Sequence, residues 1–147
     1  MMHEHCRKGD IEVNEVSPRP IAEIASYHAH IYYAGQPERQ QAEWLRLRIG
    51  ERFRVRLGAT SRSVRTSRPC TRSPSRPGFF ATLVPWLMLN HGGLSILIHP
   101  NTTNPKRDHL IDPIWTGRPL GVKGDMLGED DEAEAALEVN TEPTLGA

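Results

Sequence analysis

The chain of 147 residues has few cysteines and no long apolar run. Cys6 and Cys70 form no CxxC pair, so neither a disulfide framework nor a cysteine-based metal site is predicted, and a reduced, cytoplasmic protein is expected. The longest apolar run, residues 79–89, is too short to span a bilayer and contains Pro85. The first ten residues lack the apolar stretch of a secretory signal. These absences predict one small domain without a membrane partner.

Acidic residues are absent from the middle of the chain. Residues 1–51 carry 6 basic and 8 acidic side chains, residues 52–107 carry 10 basic and none acidic, and residues 108–147 carry 2 basic and 10 acidic. The formal net charge of zero is therefore a cancellation between blocks of opposite sign. A globular domain normally mixes the two signs along its length, so this distribution needs a specific cause.

The hydrophobic periodicity predicts an α+β domain. Elements are predicted in the order strand (26–33), helix (37–53), strand (54–57), helix (79–90, ended by two glycines) and strand (94–99). This order lacks one strand of a ferredoxin-like βαββαβ sandwich, in which helices cover one face of an antiparallel sheet. We expect a flexible leader over 1–20, the domain over 21–123 with a loop-rich end from residue 101, and a disordered acidic tail over 124–147.

The missing strand would fall within residues 59–76, an Arg/Ser-rich segment with no acidic and no aromatic residue. Three interpretations are open: a nucleic-acid-binding loop, a solvated insert, or a stretch translated out of frame. Permitted codons for this segment, read in the neighbouring frame, allow a sequence that ends in MYQVAF over positions 70–75, an amphipathic strand. We therefore expect the third strand to be missing or disordered in this chain and the protein to fold poorly as written.

Histidines mark the candidate site. His28 and His30 are two residues apart on a predicted strand, so both imidazoles point to the same face of the sheet. His99 ends the last predicted strand, and Asp108 and His109 follow in the next segment. Imidazole is a frequent transition-metal ligand, and two histidines with a carboxylate leave open positions on iron for substrate and oxygen. Hydrogen-bonded sheet histidines would give the same spacing, so both interpretations stay open.

Several motifs together resemble the DOPA 4,5-dioxygenase family. They are SYHAHIYY, IGERF followed by RVRLG, FATLVPWLMLN, GGLSILIHPNT, and a downstream DH before IWTG. They follow the family's order over about residues 24–121. The family's pattern also contains MYQVAF after the second strand, which this chain lacks and which the neighbouring reading frame restores.

The resemblance implies extradiol ring opening of a catechol such as DOPA by molecular oxygen, at non-haem Fe(II) or another divalent metal such as zinc, in a self-associating protein, most simply a homodimer. The implied metal ligands are His28, His30 and His99, and the implied catalytic groups are His28 and His109. Tyr32 and Asn101 are expected to line the substrate pocket. Asp108 is the nearest carboxylate to these histidines, although we expect it to be a solvated loop residue.

Two other functions remain as alternatives. The first is a non-catalytic ferredoxin-like module that binds a metal or a small ligand through the same histidines. The second is nucleic-acid binding through the arginines of the Arg/Ser-rich segment, namely Arg62, Arg65, Arg68 and Arg72. We expect a catechol and oxygen, rather than nucleic acid, as the partners of this chain.

Overall fold

The structure is a computed structural model that describes residues 17–58, 61–62, 69–75, 77–135 and 138–147. Its strands are β1 (Ser26–Tyr32), β2 (Ser61–Arg62), β3 (Pro69–Ser75), β4 (Ser95–Asn101) and β5 (Ile114–Thr116). Its helices are α1 (Gly35–Arg52), α2 (Pro77–Asn90) and α3 (Pro105–Leu110), preceded by a 3-10 turn at Ile21–Glu23. Most of the predicted leader, residues 1–16, lies outside the described residues, as do residues 59–60, 63–68 and 76 of the Arg/Ser-rich segment.

The five strands form one antiparallel sheet in the order β2-β3-β1-β4-β5. The first four strands and the two long helices follow each other as strand, helix, strand, strand, helix, strand. This succession is the ferredoxin-like α+β arrangement, as predicted. Strand β5 extends the sheet beyond β4, after the short helix α3.

Helices α1 and α2 supply apolar side chains to the core on one face of the sheet. The spacing of Ala42, Leu45 and Ile49 predicts the buried stripe of α1, and all three are buried. The sheet contributes alternate residues to the same core, because neighbouring side chains in a strand point to opposite faces. The buried core residues of the sheet and of α2 are Ala29, Ile31, Ile96, Ile98, Leu83 and Leu87.

The prediction that the Arg/Ser-rich segment provides no third strand is wrong for residues 69–75. Strand β3 pairs with β1 along its length, with Tyr32 opposite Cys70 and Tyr27 opposite Ser75. A strand is defined by main-chain hydrogen bonds, which every residue except proline can both donate and accept. The edge of β1 offers these partners whatever side chains β3 carries, so a polar composition does not prevent pairing.

Residues 54–57 form no strand, although their alternation correctly predicts burial. Val55 is buried and Leu57 packs against the core. Their main-chain partners come from the C-terminal segment: the amide of Val55 donates to Thr141 Oγ1 (2.8 Å), and the amide of Leu57 donates to Asn140 Oδ1 (2.8 Å). These bonds replace the ladder that a neighbouring strand would provide, which explains the difference from the prediction.

The segment predicted as an acidic tail makes several contacts with the domain. Residues 124–135 and 138–147 contain no helix or strand, yet they lie along the domain. The amide of Asp131 donates to the Thr103 carbonyl (2.8 Å), the amide of Thr144 donates to the Glu51 carbonyl (2.9 Å), and Leu127 is buried. Composition predicts disorder from scarce apolar side chains, whereas these contacts are made mainly by the main chain.

No helix within the described part of the chain combines the length and the apolar character that a membrane crossing requires.

Candidate metal centre

The three predicted ligand histidines lie on the sheet face opposite α1 and α2. In the pairing of β1 with β4, His28 is directly opposite His99, and His30 is opposite Leu97. Residues directly opposite each other share a face of an antiparallel pair, and residues two apart on one strand do so as well. The exposed fractions of His28, His30 and His99 are 3%, 5% and 2%, so the cluster is shielded from water.

The nitrogen atoms of this triad converge on one point. One ring nitrogen from each histidine lies within 4.8 Å of the other two, an arrangement that can hold a metal ion. The Nε2 atoms of His30 and His99 are 3.0 Å apart. Two nitrogens bound to one metal at about 2.0–2.1 Å, with an angle near 90–110°, would be roughly 2.9–3.4 Å apart. The observed spacing therefore fits a pair of metal ligands.

A hydrogen bond at Nδ1 of His99 determines which of its ring nitrogens can bind a metal. His99 Nδ1 lies 2.7 Å from the Pro100 carbonyl oxygen. A carbonyl oxygen can only accept, so Nδ1 carries the proton and donates it. Burial lowers the pKa of His99 well below its ordinary value, and the neighbouring imidazoles of His109, His30 and His28 lower it further. His99 is thus neutral at pH 7, with the Nε2 lone pair directed at His30, as metal-binding histidines require.

His109 joins the cluster from helix α3, in a region that the sequence analysis expected to be loop. Asn104 caps this helix by accepting the Arg107 amide proton at Oδ1 (2.9 Å), and Pro105 occupies its first turn. The ring centroid of His109 lies 3.8 Å from that of His99. Its Nδ1 donates to the Pro105 carbonyl oxygen (2.7 Å), which leaves Nε2 as the proton acceptor.

Asp108 is not the solvated loop residue that we expected. Its side chain is buried and accepts two hydrogen bonds from Thr102, one from the amide (2.8 Å) and one from Oγ1 (2.7 Å). Burial raises the pKa of Asp108, and the two bonds from Thr102 act in the opposite direction. The carboxylate thus ties α3 to the end of β4 and helps to place His109 beside the triad.

The structure separates the two predicted pocket residues. Tyr32 lies beside His30, with ring centroids 6.4 Å apart, and packs against Trp115. Tyr32 also lines a cavity of about 270 Å³ together with Glu38 and Arg118. Asn101 lies at the opposite end of the triad, across from Ser26 in the strand register.

The Asn101 side chain holds the main chain of Glu134, a contact that the sequence did not indicate. Its Nδ2 donates to Ser26 Oγ (2.9 Å) and to the Glu134 carbonyl oxygen (2.8 Å), and its Oδ1 accepts the Glu134 amide proton (3.0 Å). The Glu134 carboxylate oxygen Oε2 lies 3.8 Å from His28 Nδ1. Sequence reasoning missed Glu134, because it is one of several acids in an acidic segment and nothing in its spacing distinguishes it.

We expect the protein to become less stable as the pH falls below about 6.5. The folded-state pKa of His99 is lowered from 6.5. Below that value the unfolded chain takes up a proton that the folded chain excludes. The free energy of unfolding therefore keeps falling until the pH reaches the folded-state pKa of His99. Between about pH 7.5 and pH 5, urea denaturation should show a free energy of unfolding that falls by up to about 1.4 kcal/mol per pH unit for this group.

The matched variants for this pH profile are His99→Gln, which should flatten it, and His91→Gln, which should leave it unchanged. His91 lies in the turn after α2, where its Nδ1 accepts the Gly93 amide proton. A stability that does not depend on pH over this range, or an unaltered profile in His99→Gln, would contradict the assignment of a buried neutral His99.

Fold and site together define a small ferredoxin-like α+β protein with a buried histidine cluster on the sheet face opposite α1 and α2. The model of the Dopa 4,5-dioxygenase family matches residues 27–126. This match covers more than half of the chain and includes the whole cluster, so the chain belongs to the Dopa 4,5-dioxygenase family, as its motifs predicted. It is a dioxygenase-like protein.

Two individual proteins are similar to this chain. A crystal structure described as a "putative dioxygenase" from Nostoc punctiforme has 34% sequence identity and a TM-score of 0.69, with 72% of this chain and 93% of that chain covered. An uncharacterized 21.2 kDa protein from Botryotinia fuckeliana is 43% identical over 51 residues. That second match spans 30% of this chain and 28% of the relative.

Proposed function

We propose that this protein is a metal-dependent extradiol dioxygenase that opens the ring of a catechol with molecular oxygen. The observation that carries the proposal is the convergence of three buried histidine nitrogens within 4.8 Å of one another. The fixed Nδ1–H of His99 supports it, because it leaves Nε2 free of its proton. Membership of the Dopa 4,5-dioxygenase family supports the reaction class.

In this proposal His28, His30 and His99 hold Fe(II), which when bound supplies the site where a catecholate and oxygen meet. In the structure His30 must donate its Nε2 proton to His99 Nε2 across 3.0 Å, since His99 carries its own proton on Nδ1. Metal binding requires that proton to leave His30 Nε2, so binding should release a proton or move it to Nδ1.

His109 is the proposed proton acceptor for the catechol hydroxyl. Its Nδ1–H is fixed on the Pro105 carbonyl, so the basic atom is Nε2. A neutral imidazole near pH 7 can take a proton and return it later in the reaction. Asp108 stabilises this orientation through Thr102, because both lie at the junction of α3 and β4.

Tyr32 is the proposed wall of the substrate pocket. It contacts the cluster through His30 and lines the cavity of about 270 Å³ with Glu38 and Arg118. Tyr32 is the residue that this cavity and the cluster share, so we propose that a bound catechol ring packs against it. Association into a homodimer, which the resemblance implies, remains a prediction that sedimentation velocity can test.

The test is an anaerobic Fe(II) titration followed by a catechol and then oxygen. We expect equal molar amounts of oxygen and catechol to be consumed, with a yellow ring-opened product. Iron binding without oxygen uptake or product would instead support the non-catalytic metal-binding module. Absence of iron binding would contradict both functions.

A further inference from the structure

The C-terminal segment brings a carboxylate to the histidine cluster from outside the family match. Glu134 lies beyond residue 126, where that match ends. Its carboxylate oxygen Oε2 is 3.8 Å from His28 Nδ1, and His28 itself is buried. The Glu134 side chain is 47% exposed, so its carboxylate contacts both solvent and the covered cluster.

The main chain of Glu134 is held in place by Asn101. The Asn101 side chain accepts from the Glu134 amide (3.0 Å) and donates to the Glu134 carbonyl (2.8 Å). Asn101 is itself buried, and its Nδ2 also donates to Ser26 Oγ on β1. Since Asn101 is two residues after His99 on β4, the strand that carries a proposed ligand also fixes the segment that carries Glu134.

Further bonds attach the preceding part of the segment to α3 and to the connection between β4 and α3. The Lys106 amide donates to the Gly128 carbonyl (3.0 Å), and the Asp131 amide donates to the Thr103 carbonyl (2.8 Å). Lys106 Nζ also pairs with Glu129 (2.9 Å). The position of Glu134 therefore results from a series of contacts along residues 128–134.

Each of His28, His99 and His109 has an oxygen atom near Nδ1, although at different distances. His99 and His109 each direct Nδ1 at a main-chain carbonyl oxygen. His28 Nδ1 lies 3.8 Å from Glu134 Oε2, which is within ion-pair range but longer than a direct hydrogen bond. A carboxylate at this distance favours a proton on the nearer nitrogen, Nδ1, by charge attraction. Carboxylates are also usual outer partners of metal-binding histidines.

We infer that Glu134 is a positioning residue, which orients His28 and keeps its proton on Nδ1 so that Nε2 can bind the metal. This inference rests on the proposed function for its catalytic meaning. The inferred tautomer of His28 applies to the protein without metal as well. The segment that follows the family match therefore completes the site.

The test compares Glu134→Ala and Glu134→Gln with Glu132→Gln, which removes an exposed charge two residues away. In the metal-free protein, long-range nitrogen–proton NMR should show His28 protonated on Nδ1 in the wild type and in Glu132→Gln. Glu134→Ala should lose that preference, and Glu134→Gln, which keeps an acceptor oxygen, should retain part of it. Thermal unfolding of each variant checks that the fold is intact.

The second measurement is the affinity for Co(II) alone. Removing an outer partner of a metal-binding histidine typically lowers affinity 10–100-fold. We expect a loss of about 10-fold or more in Glu134→Ala and a smaller loss in Glu134→Gln. An unchanged His28 tautomer in Glu134→Ala overturns the inference. A wild type that binds no Co(II) overturns the proposed metal function instead, and the NMR result still decides the role of Glu134.

Discussion

Replacing His99 by glutamine is expected to lower the Fe(II) affinity by at least about 100-fold and to abolish catechol-dependent oxygen uptake. His99 is the central member of the cluster: its Nε2 is 3.0 Å from that of His30, and its ring lies 5.1 Å from that of His28 and 3.8 Å from that of His109. Losing this nitrogen removes a proposed ligand, whereas loss of an outer partner alone already costs 10–100-fold in metal affinity.

The control for this variant is His91→Gln, which removes an imidazole in the turn after α2, where its Nδ1 accepts the Gly93 amide proton. It should bind iron and consume oxygen like the wild type. Anaerobic competition with a coloured chelator measures the affinity, and an oxygen electrode measures turnover. If His99→Gln bound Fe(II) as tightly as His91→Gln, the histidine triad would not be the metal site.

The combined substitution of Thr71→Tyr, Ser73→Val and Ser75→Phe is expected to raise the free energy of unfolding by several kcal/mol. These three positions are the Cα partners of Ile31, Ala29 and Tyr27 in β1. Ala29 and Ile31 belong to the core beneath α1 and α2, and Tyr27 packs on Phe80. Residues directly opposite share a sheet face, so the three positions belong to the core face.

The expected size of this effect follows from burial. Each apolar side chain of valine or phenylalanine size that is withdrawn from water contributes about 1.5–3 kcal/mol. Burial of a serine or threonine side chain contributes little hydrophobic free energy. The three new residues are those that the neighbouring reading frame places at positions 71, 73 and 75, and the register of β3 gives them one common face. Urea denaturation and soluble yield measure the gain.

Arg72→Val is the matched control, because its Cα partner is His30, on the other face. It raises strand propensity without adding an apolar residue to the core face. We expect a much smaller gain than from the triple variant. Equal stability of the triple variant and the wild type would contradict a core deficit at β3. The gene sequence across residues 58–77 tests the frame hypothesis itself.

The elements that sequence predicted well are those with strong periodicity. The stripe of Ala42, Leu45 and Ile49 marks α1, and Gly92 and Gly93, both with positive φ, end α2. The spacing of His28 and His30 on one strand predicted their common face. These patterns are local, so neighbouring residues suffice to read them.

The features that sequence missed depend on partners distant along the chain. Strand β3 forms because β1 offers main-chain partners, although Pro69 and Pro74 lack the amide proton that a strand uses. The acidic segment contacts the domain through main-chain bonds and through Asn140 and Thr141. No local pattern marks such contacts, since they depend on where the folded chain brings its ends.

The candidate site also combines features that the sequence predicted with features that it did not. The histidines were predictable from the strand pattern, whereas the use of Asp108 was not, because its partner Thr102 lies across a turn. Helix α3 carried a readable signal in Asn104 and Pro105, a capping residue followed by a first-turn proline. Glu134 had no such signal, since it reaches His28 only through the folded C-terminal segment.

The most direct test of the account is X-ray absorption spectroscopy at the iron edge on protein loaded anaerobically with Fe(II), together with the iron content per chain. The account predicts one Fe(II) per chain and a first shell that includes three imidazole nitrogens, with at least one imidazole lost in His99→Gln. Iron bound without imidazole ligands, or a chain that binds no iron, would contradict the assignment of His28, His30 and His99 as the metal centre.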